Sequence, residues 1–112
     1  MSDGLIDGGV LDGLFQIIDS RHGKNPKTSY TAKLLADGRG EITRKLGEEA
    51  IETIFAALDE TEEEVVNESA DLLYHLLVLW AEMGVRPKDV WGELQRREGI
   101  SGIDEKNSRP KK

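Results

Sequence analysis

Acidic side chains are concentrated in one part of this 112-residue chain. Half of its 22 aspartates and glutamates lie between positions 41 and 71. Two pairs within this stretch have a spacing of three residues: Glu49 with Glu52, and Glu68 with Asp71. Residues three apart project from the same face of a helix. Each pair would therefore present two carboxylates together if its segment is helical.

A divalent metal site is the chemistry that such an arrangement favours. Two neighbouring antiparallel helices would bring the two pairs face to face, and four carboxylates so placed repel one another. A bound cation relieves this repulsion, and ligands that are all oxygen select a hard ion. The sequence therefore predicts a Mg²⁺ or Mn²⁺ site with these ligands: Glu49, Glu52, Glu68 and Asp71.

Ordinary solvent exposure is the alternative explanation of an acidic run. It fits the first pair taken alone, and it fits residues 62–64, because acids in the first turn of a helix complement its dipole. Asp71 differs, since aspartate is a poor helix former and here interrupts an apolar run, which favours a ligand role. Gly47, beside the first pair, costs about 1 kcal/mol relative to alanine. Either the close approach of a ligand or backbone, or tight helix packing, would explain it.

The elements that would position these carboxylates are helical. Apolar residues recur at helical intervals, and no stretch shows the sustained alternation that is typical of a strand. Thr61 followed by Glu64 predicts a capped helix start, and Gly84 followed by Pro87 predicts a stop and a new start. The predicted helices cover about 11–18, 29–36, 41 to 59 or 60, 61–83 and 87–99. A short connection between the two long ones implies an antiparallel hairpin.

The predicted fold is an all-α single domain over 1–112, with four to five helices around this central hairpin. The second long helix is apolar almost all round between Leu72 and Trp80, as in helices that are buried on most sides. We therefore expect a homodimer to complete the bundle. His75 is expected to be a hydrogen-bonded core residue rather than a ligand. The segment 101–112 is expected to be a polar surface tail.

The overall composition excludes several classes of function. The net charge of −7 argues against a nucleic-acid partner, because phosphate backbones need a basic footprint. The chain has no cysteine, which excludes disulfides and sulfur-based metal sites. The residues up to Asp12 lack the features of a signal peptide, and the longest apolar run, 76–81, is too short to cross a bilayer. We therefore expect a cytoplasmic protein with no membrane association.

Four stretches of the chain resemble one enzyme family. They are RKLGEEAIE at 44–52, ESADLLYHLLVLW at 68–80, SYTAKLLADG at 29–38 and RREGISGIDEKNSR at 96–109. The spacing of the acidic pairs resembles that of the MazG-like all-α nucleotide pyrophosphohydrolases. The longer stretches are similar, more specifically, to the phosphoribosyl-ATP pyrophosphohydrolase family, and the resemblance extends from about residue 11 to residue 109.

This resemblance implies a homodimeric, Mg²⁺-dependent enzyme whose metal is held by the four predicted ligands. The reaction would be hydrolysis of 1-(5-phosphoribosyl)-ATP to 1-(5-phosphoribosyl)-AMP and pyrophosphate, the second step of histidine biosynthesis. Glu48 would be an additional acid, either another ligand or a base that activates water. Some members are fused to the cyclohydrolase that acts next, and we expect that enzyme to be a separate protein here.

The resemblance also implies roles for other charged residues. Glu48 or Glu49 would accept a proton from the attacking water. Arg44 and Lys45, the only bases within the acidic stretch, would steady the phosphates, which need cations beyond the metal. The second phosphate end of the substrate would meet bases of the C-terminal part: Arg97, Lys106 and Arg109.

Two other functions stay open at the level of sequence. A MazG-like house-cleaning hydrolase would use the same carboxylates on ordinary or damaged nucleoside triphosphates. A non-catalytic helical dimerisation module would need none of them. In that module, Glu52→Gln and Asp71→Asn would leave every activity and the Mg²⁺ affinity unchanged.

Overall fold

The computed structural model describes residues 6–59 and 61–110, and every regular element within those ranges is a helix. The helices in chain order are α1 (Gly9–Asp19), α2 (Tyr30–Asp37), α3 (Arg39–Asp59), α4 (Glu62–Met83), α5 (Pro87–Arg97) and α6 (Gly102–Asn107). The predicted all-α class is confirmed. The predicted number of helices, four to five, is too small because α6 was not expected.

Local signals set the ends of α4 and the start of α5. Thr61 accepts a hydrogen bond from the backbone N–H of Glu64 at 3.3 Å, as the capping sequence predicts. Gly84 ends α4 with a φ of 75°, a left-handed conformation that glycine adopts without strain. Pro87 is the first residue of α5, where a missing N–H costs no helical hydrogen bond. These signals fix which turns of α4 carry the acidic residues.

The corner between α2 and α3 consists of one residue. α2 ends at Asp37 and α3 begins at Arg39, two residues before the predicted start at Glu41. Gly38 turns the chain with a φ of 94°, which is strained for any residue with a side chain. The break predicted at 37–38 is therefore a sharp turn, and α3 begins at the residue directly after Gly38.

The hydrophobic core lies where α1 and α2 pack on the start of α3 and the C-terminal half of α4. Its buried members are Phe15, Ile18, Leu34, Ile42, Leu77, Val78 and Ala81. α3 and α4 form the most extensive helix contact, and only a short connection joins Asp59 to Glu62. The predicted central antiparallel hairpin is therefore confirmed, and it is the frame on which the other helices pack.

The end of this hairpin near the α3–α4 connection is poorly covered. Its exposed apolar side chains are Ile51, Ile54, Phe55, Leu58, Val66 and Leu73. The apolar side of α3 is thus divided, because Ile42 is fully buried near one end whereas Leu58 is 74% exposed near the other. The homodimer that was expected to cover such surfaces stays a prediction.

The segment after residue 100 is more ordered than the predicted surface tail. Ser101 caps α6 by accepting a hydrogen bond from the N–H of Asp104 at 3.0 Å. Glu105 of α6 is buried and binds Arg96 of α5 and Arg109 through its carboxylate. This acid ties α6 to α5, which a polar composition alone did not indicate.

Within residues 6–59 and 61–110, no helix combines the length and the apolar character needed to cross a lipid bilayer. The first five residues, Glu60, Lys111 and Lys112 lie outside the described residues. The sequence predictions that fall on them therefore stay predictions.

Candidate metal centre

Three carboxylates from α3 and α4 converge on the hairpin. Glu49 of α3 and Glu68 and Asp71 of α4 each place one carboxylate oxygen within 4.8 Å of the others. Glu49 and Glu68 are partly buried and Asp71 is exposed. The group, called here the acidic cluster, is therefore open to solvent on one side.

Glu52, the fourth predicted ligand, lies at the margin of the acidic cluster. It is exposed and is not one of the three converging residues, but its carboxylate contacts those of Glu49 and Glu68. Burial, and then the contact with Glu52, raise the pKa of Glu49 to about 7. Burial and the charge of Glu52 also raise the pKa of Glu68. The negative charges of this group therefore disfavour one another.

An unsatisfied buried atom shows what the acidic cluster lacks. The Oε1 atom of Glu68 is buried and has no hydrogen-bond partner, and leaving such an atom unpaired is costly. Among the described residues, no basic side chain forms an ion pair with a member of the cluster. Several carboxylate oxygens without a counter-charge fit a hard divalent ion. The residues present therefore suit Mg²⁺ or Mn²⁺.

Glu48 lies with basic residues and not in the acidic cluster. The Nη1 atom of Arg44 donates to Glu48, and the Nζ atom of Lys45 lies 3.6 Å from its Oε1 atom. Arg44 also donates two hydrogen bonds to Glu41, at 2.9 and 2.7 Å. Arg44 and Lys45, which were predicted to bind phosphate, are thus held about one turn before Glu49 by Glu41 and Glu48. Neither of these two acids belongs to the acidic cluster.

A buried histidine supports the α4 side of the acidic cluster. His75 is only 6% exposed, and its Nδ1 donates to the backbone carbonyl of Asp71 at 2.8 Å. Its Nε2 atom therefore has a lone pair in the neutral ring, and it lies 3.4 Å from the hydroxyl of Tyr30. Tyr74 packs edge-on against the same ring. The predicted role of His75 as a satisfied core residue is confirmed.

Gly47 does not serve tight packing within this chain. A Cβ atom built on it meets nothing within 4 Å. Gly47, around which this space is open, directly precedes Glu48 in the chain. Of the two explanations that the sequence left open, helix packing is therefore not supported within the described chain, and space for a ligand or for another subunit remains.

Two of the three C-terminal bases predicted to bind substrate are already paired. Arg97 binds Glu93 at 2.9 Å, and Arg109 binds Glu105 at 2.6 Å. Lys106 makes no ion pair among the described residues. We call Glu93, Glu105 and their arginine partners (Arg96, Arg97 and Arg109) the tail cluster.

Sequence reasoning missed two residues that organise these clusters. Glu105 stands four residues before Arg109, a spacing that places two side chains together on a helix, but α6 was not predicted. Tyr30 reaches α4 from the start of α2. No sequence signal indicated that contact, because it depends on how α2 packs against the hairpin.

Comparison with known proteins agrees with these features. The family described as phosphoribosyl-ATP pyrophosphohydrolase matches residues 11–98. A phosphoribosyl-ATP pyrophosphatase of Paramagnetospirillum magneticum is 61% identical over 95% of this chain and 97% of its own length. One of Rhodospirillum rubrum is 60% identical over 91% of this chain and 87% of its own length.

A longer relative contains the same region as one part. The histidine biosynthesis bifunctional protein HisIE of Wolinella succinogenes is 52% identical over 90% of this chain, which covers 44% of that protein. Whether the next enzyme is separate for this chain therefore stays a prediction. The family match spans most of the chain and includes all members of the acidic cluster, so the chain belongs to the phosphoribosyl-ATP pyrophosphohydrolase family.

Proposed function

We propose that this protein hydrolyses 1-(5-phosphoribosyl)-ATP to 1-(5-phosphoribosyl)-AMP and pyrophosphate, in histidine biosynthesis. Membership of the family supports the substrate and the reaction. The observation that carries the chemistry is the acidic cluster with its unpartnered Glu68 oxygen. A polyphosphate hydrolase needs a counter-charge for its substrate, and a group of carboxylates that attracts a cation can provide one.

The metal ligands in this proposal are Glu49, Glu68 and Asp71, with Glu52 as the fourth. When it is bound, Mg²⁺ (or Mn²⁺ in its place) would neutralise negative charge of the polyphosphate. Packing of α3 against α4 keeps the partly buried carboxylates of Glu49 and Glu68 in position. The hydrogen bond from His75 to the backbone carbonyl of Asp71 stabilises that turn of α4. The chain thus provides a rigid set of oxygen ligands.

The hydrolytic step needs a proton acceptor as well. The oxygen of water forms a bond to the α-phosphorus, the bond from that phosphorus to the bridging oxygen breaks, and pyrophosphate leaves. The proton of the water passes to a carboxylate. Glu49 is the proposed acceptor because Glu48 is engaged by Arg44 and Lys45. A bound polyphosphate would compete with Glu48 for these two bases.

Matched amide variants separate these two glutamates. Glu49→Gln should lower kcat by about 10²–10⁴-fold, the range of a general base. Glu48→Gln should loosen Arg44 and Lys45, so it should act on KM more than on kcat. The opposite pattern would assign the base to Glu48, which is the alternative that the sequence left open.

A homodimer is part of the proposal. Ile54 and Phe55 each expose 56% of their surface, and a contiguous apolar patch of this kind marks an interface. Phe55→Glu should therefore convert a dimer to a monomer in light scattering. Ile103→Glu is the control, because Ile103 is 75% exposed on α6, outside the hairpin. A monomeric wild-type protein would reject the dimer.

The assay that tests the function measures pyrophosphate released from phosphoribosyl-ATP with Mg²⁺. A panel of ordinary nucleoside triphosphates serves as the comparison. Turnover of phosphoribosyl-ATP alone is expected, whereas turnover of only the ordinary triphosphates would establish the house-cleaning alternative. No Mg²⁺-dependent turnover of any of them would favour a non-catalytic helical module.

We also propose that the chain forms a single domain, that the enzyme acts in the cytoplasm, and that the cyclohydrolase that follows it is a separate protein. Co-purification of the cyclohydrolase activity on the same polypeptide would contradict the last of these.

A further inference from the structure

The bases without an ion pair are unevenly distributed over the described chain. Within residues 6–59 and 61–110 they are Arg21, Lys24, Lys27, Lys88 and Lys106, whereas all other lysines and arginines there have an acidic partner. Three of them lie on the loop between α1 and α2. The loop therefore has positive charge that no acid of the described ranges neutralises through an ion pair.

The structure holds this loop against α4 at both of its ends. At one end, Nε2 of His22 lies 3.2 Å from the carbonyl oxygen of Ala81. At the other end, the hydroxyl of Tyr30 lies 3.4 Å from Nε2 of His75, whose Nδ1 donates to Asp71. His75 is four residues after Asp71, a distance of about 6 Å along the helix axis. The loop therefore contacts α4 at points between about 6 Å (His75) and about 15 Å (Ala81) from Asp71 along the helix axis.

An open cavity of about 480 Å³ lies in this loop. Its lining residues are Arg21, Lys24, Asn25, Thr28 and Ser29, and none of them is acidic. The side-chain oxygen of Asn25 accepts from the N–H of Lys27 at 2.9 Å, which leaves the amide N–H groups as donors. Ser29 accepts from the N–H of Ala32, so its hydroxyl hydrogen is also available. Cationic and neutral donors together are the chemistry that binds a phosphate.

We infer that this cavity binds the phosphate monoester of the phosphoribosyl arm. The inference rests on the proposed function, because the substrate then has two anionic ends, the triphosphate and the 5-phosphate of the second ribose. The acidic cluster with its cation takes the first end, and the loop takes the second. Ordinary nucleoside triphosphates lack the second phosphate, so this subsite is a determinant of specificity.

The tail cluster is the competing site for that phosphate. Arg97, Lys106 and Arg109 were predicted to fill this role. The two arginines are engaged by Glu93 and Glu105, which leaves Lys106 as a single base. Binding there would require a phosphate to displace a carboxylate from each arginine. The loop requires no such displacement, because Arg21 and Lys24 have no acidic partner among the residues that the structure describes.

A double variant, Arg21→Gln with Lys24→Gln, tests the inference. With phosphoribosyl-ATP, KM should rise at least ten-fold, since a charge-assisted hydrogen bond contributes enough for that change, while kcat stays within about two-fold of the wild type. The inhibition constant of ATP, which lacks the phosphoribosyl arm, should stay unchanged. Lys88→Gln is the control, because Lys88 is an exposed base without an ion pair on α5 and should leave every constant unchanged.

Two other outcomes of the kinetic experiment would contradict the inference. An unchanged KM for phosphoribosyl-ATP would overturn the subsite, and an equal loss of ATP affinity would place the loop at the triphosphate instead. Direct binding of ribose 5-phosphate, followed by amide NMR shifts, does not depend on turnover. It should perturb residues 21–29 in the wild type and not in the double variant. If the wild type binds ribose 5-phosphate in this way but does not hydrolyse phosphoribosyl-ATP, the proposed function fails and the subsite does not.

Discussion

The acidic cluster and the tail cluster use the same kind of side chain in opposite surroundings. In the acidic cluster, Glu49, Glu68 and Asp71 face one another, and no basic residue of the described ranges forms an ion pair with them. In the tail cluster, Glu105 is bound by Arg96 and Arg109 at 2.9 and 2.6 Å. One group lacks a counter-charge and the other contains its own.

The pKa values of the carboxyl groups show the same contrast between the two clusters. Burial and the contact with Glu52 raise the pKa of Glu49 to about 7. Hydrogen bonds from Arg96 and Arg97 lower the pKa of Glu93 to about 2, and the hydrogen bond from Arg109 lowers that of Glu105. The neighbours of a glutamate, and not its presence in a motif, therefore distinguish a proposed metal ligand from a structural anchor.

The largest expected effect is on hydrolysis by the acidic cluster. Asp71→Asn and Glu68→Gln each remove a carboxylate of the proposed metal site, so the Mg²⁺-dependent rate should fall by a factor on the order of 10³ while the helical circular dichroism stays unchanged. Glu63→Gln, an exposed acid at the start of α4, is the matched control. A fall in rate for the control as large as for the two variants would remove the distinction between cluster and surface.

The next effect is on stability, and it concerns the tail cluster. Glu105→Gln leaves three arginines near one another without their buried acid, so the melting temperature should fall by several degrees at neutral pH. Since the pKa of Glu105 is lowered, its contribution is present above the ordinary pKa of 4.5 and is lost as the pH falls through the lower, folded-state value. Glu98→Gln, an exposed acid at the end of α5, should change little. Equal melting temperatures for the two variants would contradict the anchoring role.

A smaller effect, with the opposite sign, is expected in the acidic cluster without metal. Glu49 has an ordinary pKa of 4.5 and a folded-state pKa of about 7, so the folded protein holds a proton that the unfolded chain has lost between those values. The stability contribution is therefore complete below about 4.5 and is lost as the pH rises through 7. In a chelating buffer at pH 8, Glu49→Gln should melt above the wild type. Saturating Mg²⁺ should reverse the order, because binding to the folded state stabilises it.

The smallest effect concerns the open space around Gly47 of α3. Gly47→Ala should stabilise α3 by about 1 kcal/mol, or about 4 °C in melting temperature, since its Cβ atom meets nothing within 4 Å. If the space admits a ligand, KM should rise while stability improves. An increase in stability without any change in KM would show that the glycine is not needed for binding.

The sequence predicted what depends on local periodicity. The spacing of Glu49 with Glu52, and of Glu68 with Asp71, places each pair on one face of a helix. The caps at Thr61 and Gly84 fixed the second helix of the hairpin, and the short connection predicted its antiparallel pairing. These features follow from interactions between residues that are near in sequence.

What the sequence could not predict depends on packing between distant elements. The rotation of α3 against α4 leaves Glu52 at the margin and brings Glu49 to Glu68. The contact of Tyr30 with His75 joins residues 45 positions apart. The pairing of Arg97 with Glu93 shows why a base counted from the sequence need not be free for a substrate.

The proposed metal site can be tested directly by anomalous diffraction at the manganese absorption edge, from crystals grown with Mn²⁺. We expect one or more anomalous peaks within coordination distance of Glu49, Glu68 and Asp71, and none at Glu93 or Glu105. Carboxylates of the acidic cluster that point apart, with no ion between them at saturating Mn²⁺, would contradict it.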